Sequence, residues 1–147
     1  KDGTVSSVGG DNQHGQLGVG DTKPHLVPCR IKGLRNVAQL SGDFNSSAAV
    51  HNDGNISVWG NSANYSRHPA IRKRLDPKNG VLSLLTPMRV PPYNRAAVRA
   101  VHLDSIGLIY VTRSGSVRVL GKAGASVNLT RIFQPPRGTS YFDWPTI

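Results

Sequence analysis

The chain of 147 residues contains no glutamate: its eight acidic residues are all aspartate. Glutamate is a good helix former, whereas aspartate favours turns and caps, so this acid inventory is that of a turn-rich β protein. Cysteine is nearly absent too. Cys29 stands alone, which excludes an internal disulfide framework and argues against a thiolate metal site. It follows Pro28 in a loop-like stretch, and an inert thiol is expected there rather than a nucleophile. The lack of paired cysteines leans intracellular. No apolar run is long enough to span a bilayer and no signal peptide is visible.

Catalytic constellations are missing as well. His14, His25, His51, His68 and His102 show no metal-ligand spacing. There is no Gly-x-Ser-x-Gly elbow and no phosphate loop ending in Gly-Lys-Ser/Thr. Asp2, Asp11, Asp21 and Asp53 sit where turns want aspartate. The sequons at Asn45, Asn55, Asn64 and Asn128 read as chance matches in a chain rich in Asn, Ser and Thr. The expectation is a non-enzymatic protein with no cofactor, no metal and no small-molecule substrate.

What the sequence does have is turns, charge and repetition. Sixteen glycines and ten prolines are dispersed along the chain, and hydrophobic residues make up 37%, enough for a core. The net charge is +10 and the pI about 10.5, which predicts attraction to polyanions: RNA or other nucleic acid, an anionic membrane, or an acidic partner. Three segments line up: Asp2-Gly-Thr-Val-Ser-Ser-Val-Gly9, Asp53-Gly-Asn-Ile-Ser-Val-Trp-Gly60 and Ser114-Gly-Ser-Val-Arg-Val-Leu-Gly121. Each is a hairpin turn followed by an alternating strand, and each closes on a glycine. Residues 37–50 align with residues 98–111, at the same offset that separates Gly60 from Gly121. The unit is therefore strand, turn, strand, hairpin, strand, longer connection, which fits one blade of a β-propeller.

The stretch Gly10-Asp11-Asn12-Gln13-His14-Gly15-Gln16-Leu17-Gly18-Val19-Gly20-Asp21 resembles the signature of the regulator-of-chromosome-condensation repeat. Downstream, Pro28-Cys-Arg-Ile31, Gly33-Leu34, Val37, Ser41-Gly42, Ser46-Ser47 and Asp53-Gly54…Trp59-Gly60 match its later landmarks. The match weakens after residue 61, and the third strand ends in Leu120-Gly121 rather than Trp-Gly. The resemblance implies an all-β partial propeller of two to three blades, a fragment of a seven-bladed ring. Its propeller would occupy residues 1–132, with repeats at about 2–52, 53–113 and 114–132, and residues 133–147 would form a tail. The landmarks Gly9, Gly15, Leu17, Gly18, Gly42, Gly54, Trp59, Gly60, Gly115 and Gly121 read as structural. Leu17 is expected to pin its loop to the core and Trp59 to fill the wedge between blades.

Function is sought in the charge. Arg67, Arg72, Lys73, Arg74, Lys78, Arg89, Arg95 and Arg99 face a single acid, Asp76, and carry +7 of the +10. Most fall in an inserted connection at about 62–80, where Pro69 and Pro77 suggest an extended, projecting loop. Arg67, Arg72, Lys73, Arg74, Lys78 and Arg95 are the candidate contacts to a nucleic-acid backbone. The tail holds four of the nine aromatics, and Tyr141, Phe142 and Trp144 are candidate anchors for a protein partner or for the chain's own core. The leading expectation is an interaction scaffold in a ribonucleoprotein such as an organellar ribosome, with a mitochondrial site suggested by family analogy. The alternatives the resemblance implies are nucleotide exchange on a Ran-type small GTPase and a recruiting module of a ubiquitin ligase.

Overall fold

The structure, a computed structural model, describes residues 3–63, 69–72, 83–91, 96–104, 107–121 and 126–128. The described residues form ten strands in three antiparallel sheets. The first is a pair, β1 (Ser6–Gly9) and β2 (His25–Arg30). The second is a four-stranded meander of β3 (Val37–Gly42), β4 (Ser46–His51), β5 (Ile56–Asn61) and β6 (Ser83–Val90). The third repeats that meander with β7 (Val98–Asp104), β8 (Gly107–Thr112), β9 (Val117–Gly121) and β10 (Ser126–Asn128). A single helical turn, α1 (Pro69–Arg72), lies between β5 and β6.

The first three strands of the third sheet follow their counterparts in the second at one constant interval, from Val37 to Val98, from Ser46 to Gly107 and from Ile56 to Val117. Even the irregularity recurs: the ladder slips between Val37 and Gln39, and again between Val98 and Ala100. By the same equivalence β1 and β2 correspond to β5 and β6, the outer half of a blade. A blade thus begins at the third strand of the linear repeat, and blade boundaries fall inside each sequence repeat.

Alternation explains why β4 and β5 are buried almost throughout. Successive side chains point to opposite faces of a sheet. Here both faces are covered. Ala48, Val50, Ile56 and Val58 join Val98, Val101, Leu103, Leu108 and Tyr110 in the core shared with the third sheet. Ala49 and Trp59 pack on the other face with Ile31 and Leu34. The polar exceptions are partnered: Ser57 Oγ meets His51 Nε2 at 2.7 Å, and His51 Nδ1 meets the Arg35 carbonyl at 2.8 Å. The two meanders are also stitched edge to edge. The Gln39 amide bonds both the carbonyl and the N–H of Val101, and Ser41 Oγ accepts the Leu103 N–H at 2.9 Å.

Two expectations need correction. Cys29 belongs to β2, not to a loop; Pro28 is tolerated beside it because that strand lies at a sheet edge. The connection after β5 is not simply extended. Pro69 opens a helical turn, a position where its missing N–H costs nothing, and Ile71 in that turn is fully buried in the core.

Candidate functional site

Because the sheets are meanders, successive connections leave from alternate ends of the blades. One end, here the signature end, carries the β1–β2 loop (10–24), the β3–β4 turn (43–45) and the β5–β6 connection (62–82). The other, the hairpin end, carries the β2–β3 connection (31–36), the β4–β5 turn (52–55), the β6–β7 connection (91–97) and the β8–β9 turn (113–116).

The signature loop is organised by Asn12, which is 1% exposed. Its amide donates to the carbonyls of Asp21 and Lys23 at 3.0 Å each, and its oxygen accepts the Leu17 N–H at 3.0 Å. Leu17 is buried, and its methyl lies 3.2 Å from where a Cβ on Gly9 would stand. The loop clasps the neighbouring blade. Trp59 Nε1 and Ser47 Oγ both donate to the Gln16 carbonyl, at 2.8 and 2.9 Å, and the Gly20 N–H donates to the Leu85 carbonyl. Gly18 has φ +71°, and a Cβ there would stand 2.7 Å from Trp59 Nε1. The glycine is what lets the indole reach Gln16. These positions hold blade to blade.

Asp21, His25 and Cys29 form a short chain on this loop and β2. His25 Nε2 bonds the Asp21 carboxylate at 3.0 Å, and His25 Nδ1 meets Cys29 Sγ at 3.2 Å. The His25 hydrogen bond, helped by the Lys23 N–H, holds the Asp21 carboxyl below the usual carboxylate range. Spacing of four along β2 puts His25 and Cys29 on one face, a signal legible once the stretch is known to be a strand. Among the described residues no cluster of three His, Cys, Asp or Glu side chains could hold a metal. No helix among them is long and apolar enough to cross a membrane.

Of the predicted phosphate contacts, Arg72 lies in α1, next to buried Ile71. Arg67, Lys73, Arg74, Lys78 and Arg95 lie outside the described residues, as do Tyr141, Phe142 and Trp144. β6 divides the linear charge cluster. Arg67, Lys73, Arg74 and Lys78 precede it in the sequence, whereas Arg89 and Arg99 stand at the hairpin end.

Topology sorts the remaining described charges in a way the linear sequence conceals. Asp11, Asp21, Asp43 and Asp104 are at the signature end, with Lys23 and Arg72. Arg30, Lys32, Arg35, Arg89, Arg99, Arg113 and Arg118 are in or next to the hairpin-end connections, where Asp53 is the one described acid. Asp53 is held below the usual carboxylate range chiefly by the Asn55 N–H, with the Arg89 guanidinium, its ion-pair partner, adding to the effect.

Comparison with known proteins agrees with this architecture. Residues 2–49 match the family model of the regulator of chromosome condensation (RCC1) repeat. The ultraviolet-B receptor UVR8 of Arabidopsis thaliana is 38% identical over 53 residues, 35% of this chain and 12% of that protein. The human X-linked retinitis pigmentosa GTPase regulator is 37% identical over 65 residues, 42% of this chain and 6% of that protein. Human WBSCR16 superposes on 97% of this chain and 36% of its own, with a TM-score of 0.72 at 21% identity. Prp20p of Saccharomyces cerevisiae, described with its binding properties to Gsp1p and histones, gives a TM-score of 0.61 at 18% identity over 80% of this chain and 28% of its own. The chain therefore spans well under half the length of each of these relatives. Residues 2–49 thus match an RCC1 repeat, and the described sheets have the fold of part of a β-propeller.

Proposed function

We propose that this protein is a non-enzymatic interaction scaffold of a ribonucleoprotein assembly and that its basic β5–β6 connection contacts RNA backbone. The observation that carries this reading is Ile71. It sits in the middle of Arg67-His-Pro-Ala-Ile-Arg-Lys-Arg74 and is fully buried against the blade core. Its neighbour Ala70 packs on the same core. The basic run is thereby pinned to the blade at its centre. A pinned cationic segment loses less conformational freedom on meeting a phosphate backbone than a free one, and Arg and Lys bind that backbone by neutralising phosphates and releasing counterions. The described blades supply a turn-rich body of antiparallel strands on which such a segment can be held.

The test has two parts. Native protein sedimented on a gradient should migrate with a large particle, and ribonuclease should collapse that migration. R72A/K73A/R74A should then weaken RNA binding and flatten its salt dependence by about 2 units of log–log slope, at roughly 0.7 per single-strand phosphate contact. Sedimentation as a small species indifferent to ribonuclease would overturn the reading. Faster release of labelled GDP from a Ran-type GTPase by the same preparation would replace it with nucleotide exchange.

A further inference from the structure

The hairpin end of the blades is the most strongly polarised surface among the described residues, and α1 of the β5–β6 connection lies at the opposite end. Its geometry begins with the short connection between β2 and β3. Gly33 (φ +87°) and Asn36 (φ +53°) adopt left-handed conformations that fold this connection tightly. Ile31 and Leu34 turn inward and are 2% exposed, which leaves Arg30, Lys32 and Arg35 exposed around a shallow cleft. None of these three side chains has an ion-pair or hydrogen-bond partner among the described residues.

The connection is not adrift from the rest of the face. The Arg35 carbonyl is bonded to His51 at 2.8 Å, and the Asn36 carbonyl accepts the Asn52 N–H at 2.8 Å. The Asn52 carbonyl in turn accepts the Arg113 guanidinium at 2.6 Å, and Asp53 pairs with Arg89. One hydrogen-bonded belt thus runs from the β2–β3 connection across the second and third sheets and carries Arg35, Arg89 and Arg113, with Arg30 and Lys32 at its margin. Across that belt Asp53 is the one described carboxylate, and Arg89 already answers it.

We infer that this face is a second binding surface, and that its ligand is the phosphodiester backbone of single-stranded nucleic acid, read without regard to sequence. The inference rests on the polyanion reading above and adds a separate site to it. Backbone binding needs cations and hydrogen-bond donors on a fixed frame and nothing more. A protein partner would instead call for apolar or aromatic anchors. The exposed large apolar residues among those described are Val8, Leu26, Val27, Leu40 and Phe44. They lie along β1, β2 and β3 or in the β3–β4 turn at the opposite end. None belongs to a hairpin-end connection. Among the described residues the face therefore has the charge that a phosphate backbone requires and no exposed large apolar anchor in its connections.

The experiment measures binding of a fluorescein-labelled oligouridine of about 20 nucleotides by anisotropy, across a salt series, for the full chain and three variants. R30Q/K32Q/R35Q removes charge from side chains that have no partner among the described residues; its urea midpoint is checked against the parent. We expect it to weaken binding about tenfold or more at low salt and to lower the log–log salt slope by about 2, as three lost phosphate contacts require. An oligothymidine of the same length should bind with the same slope. R113Q should weaken binding further in the triple variant. Unchanged affinity and slope in R30Q/K32Q/R35Q overturn the inference. If R72A/K73A/R74A nevertheless loses affinity, the β5–β6 connection stands alone as the contact. If only R30Q/K32Q/R35Q loses affinity, the hairpin-end site stands and the connection is excluded. Polyglutamate competing as well as oligouridine at equal charge would also overturn the nucleic-acid assignment.

Discussion

Gly54 and Gly115 occupy the same place in successive hairpins, with φ of +82° and +85°. Replacing either with alanine incurs the same left-handed backbone cost, about 1–2 kcal/mol. Their surroundings differ. A Cβ on Gly54 would stand 2.7 Å from Ala97 Cβ, 2.8 Å from Ala97 Cα and 3.0 Å from the Val98 nitrogen, whose N–H donates to the Gly54 carbonyl. Two of those three atoms are backbone of the next blade and cannot swing away. A Cβ on Gly115 meets nothing within 4 Å among the described residues. Gly54→Ala therefore adds an overpacking cost of about 1–3 kcal/mol that Gly115→Ala escapes. At a urea m-value of about 2 kcal/mol/M, the Gly54→Ala midpoint should fall below the Gly115→Ala midpoint by about 0.5–1.5 M. Urea unfolding of the two variants followed by Trp fluorescence reads this directly, because Trp59 is buried between blades. Equal midpoints would refute the claim that hairpin glycines exist here to admit the neighbouring blade. Gly3, whose Cβ would stand 2.8 Å from the Val37 nitrogen, should behave like Gly54.

Asn12→Ala should destabilise the chain by about 3 kcal/mol, since it strands two carbonyls and an N–H that a 1%-exposed amide now satisfies; a loss under about 0.5 kcal/mol in urea titration would show that water replaces the amide there. Asp21 has a folded-state pKa lowered by His25, so its contribution is present above the unfolded value and is lost as pH falls through the folded one. The stability gap between the parent and His25→Ala should accordingly close as pH drops from about 5 to about 2. A gap that stays constant across urea titrations in that range contradicts the assignment.

Much of the fold is legible in the sequence because its signals are local. The period-2 pattern of Ile56-Ser-Val-Trp, the Asp53-Gly54 and Ser114-Gly115 turns and the regular recurrence of one unit in the next each survive in the linear sequence. What escapes is tertiary. Nothing in Arg67-His-Pro-Ala-Ile-Arg-Lys-Arg74 announces that Ile71 leaves a charged run to enter a core, because one apolar residue among cations has no periodicity to read. Cys29 reads as a loop residue because of Pro28, whose compatibility with β2 depends on that strand having an open edge.

The charge is hidden for a more general reason. A window along the chain collects residues that are neighbours in sequence, but a meander sends successive connections to opposite ends. Arg74 and Arg89 are close in sequence, yet most of β6 lies between them. Arg35 and Arg113 are far apart in sequence, yet both are tied to the β4–β5 turn, through Asn36–Asn52 and through the Asn52 carbonyl. In an up-and-down blade the unit that collects charge is every second connection. Summing over alternate connections makes the hairpin end basic without any dense run of cations, and it leaves four of the five described aspartates at the other end. The same sum can be made on any sequence whose strand order is known, so the polarity of a propeller is readable as soon as its meander is.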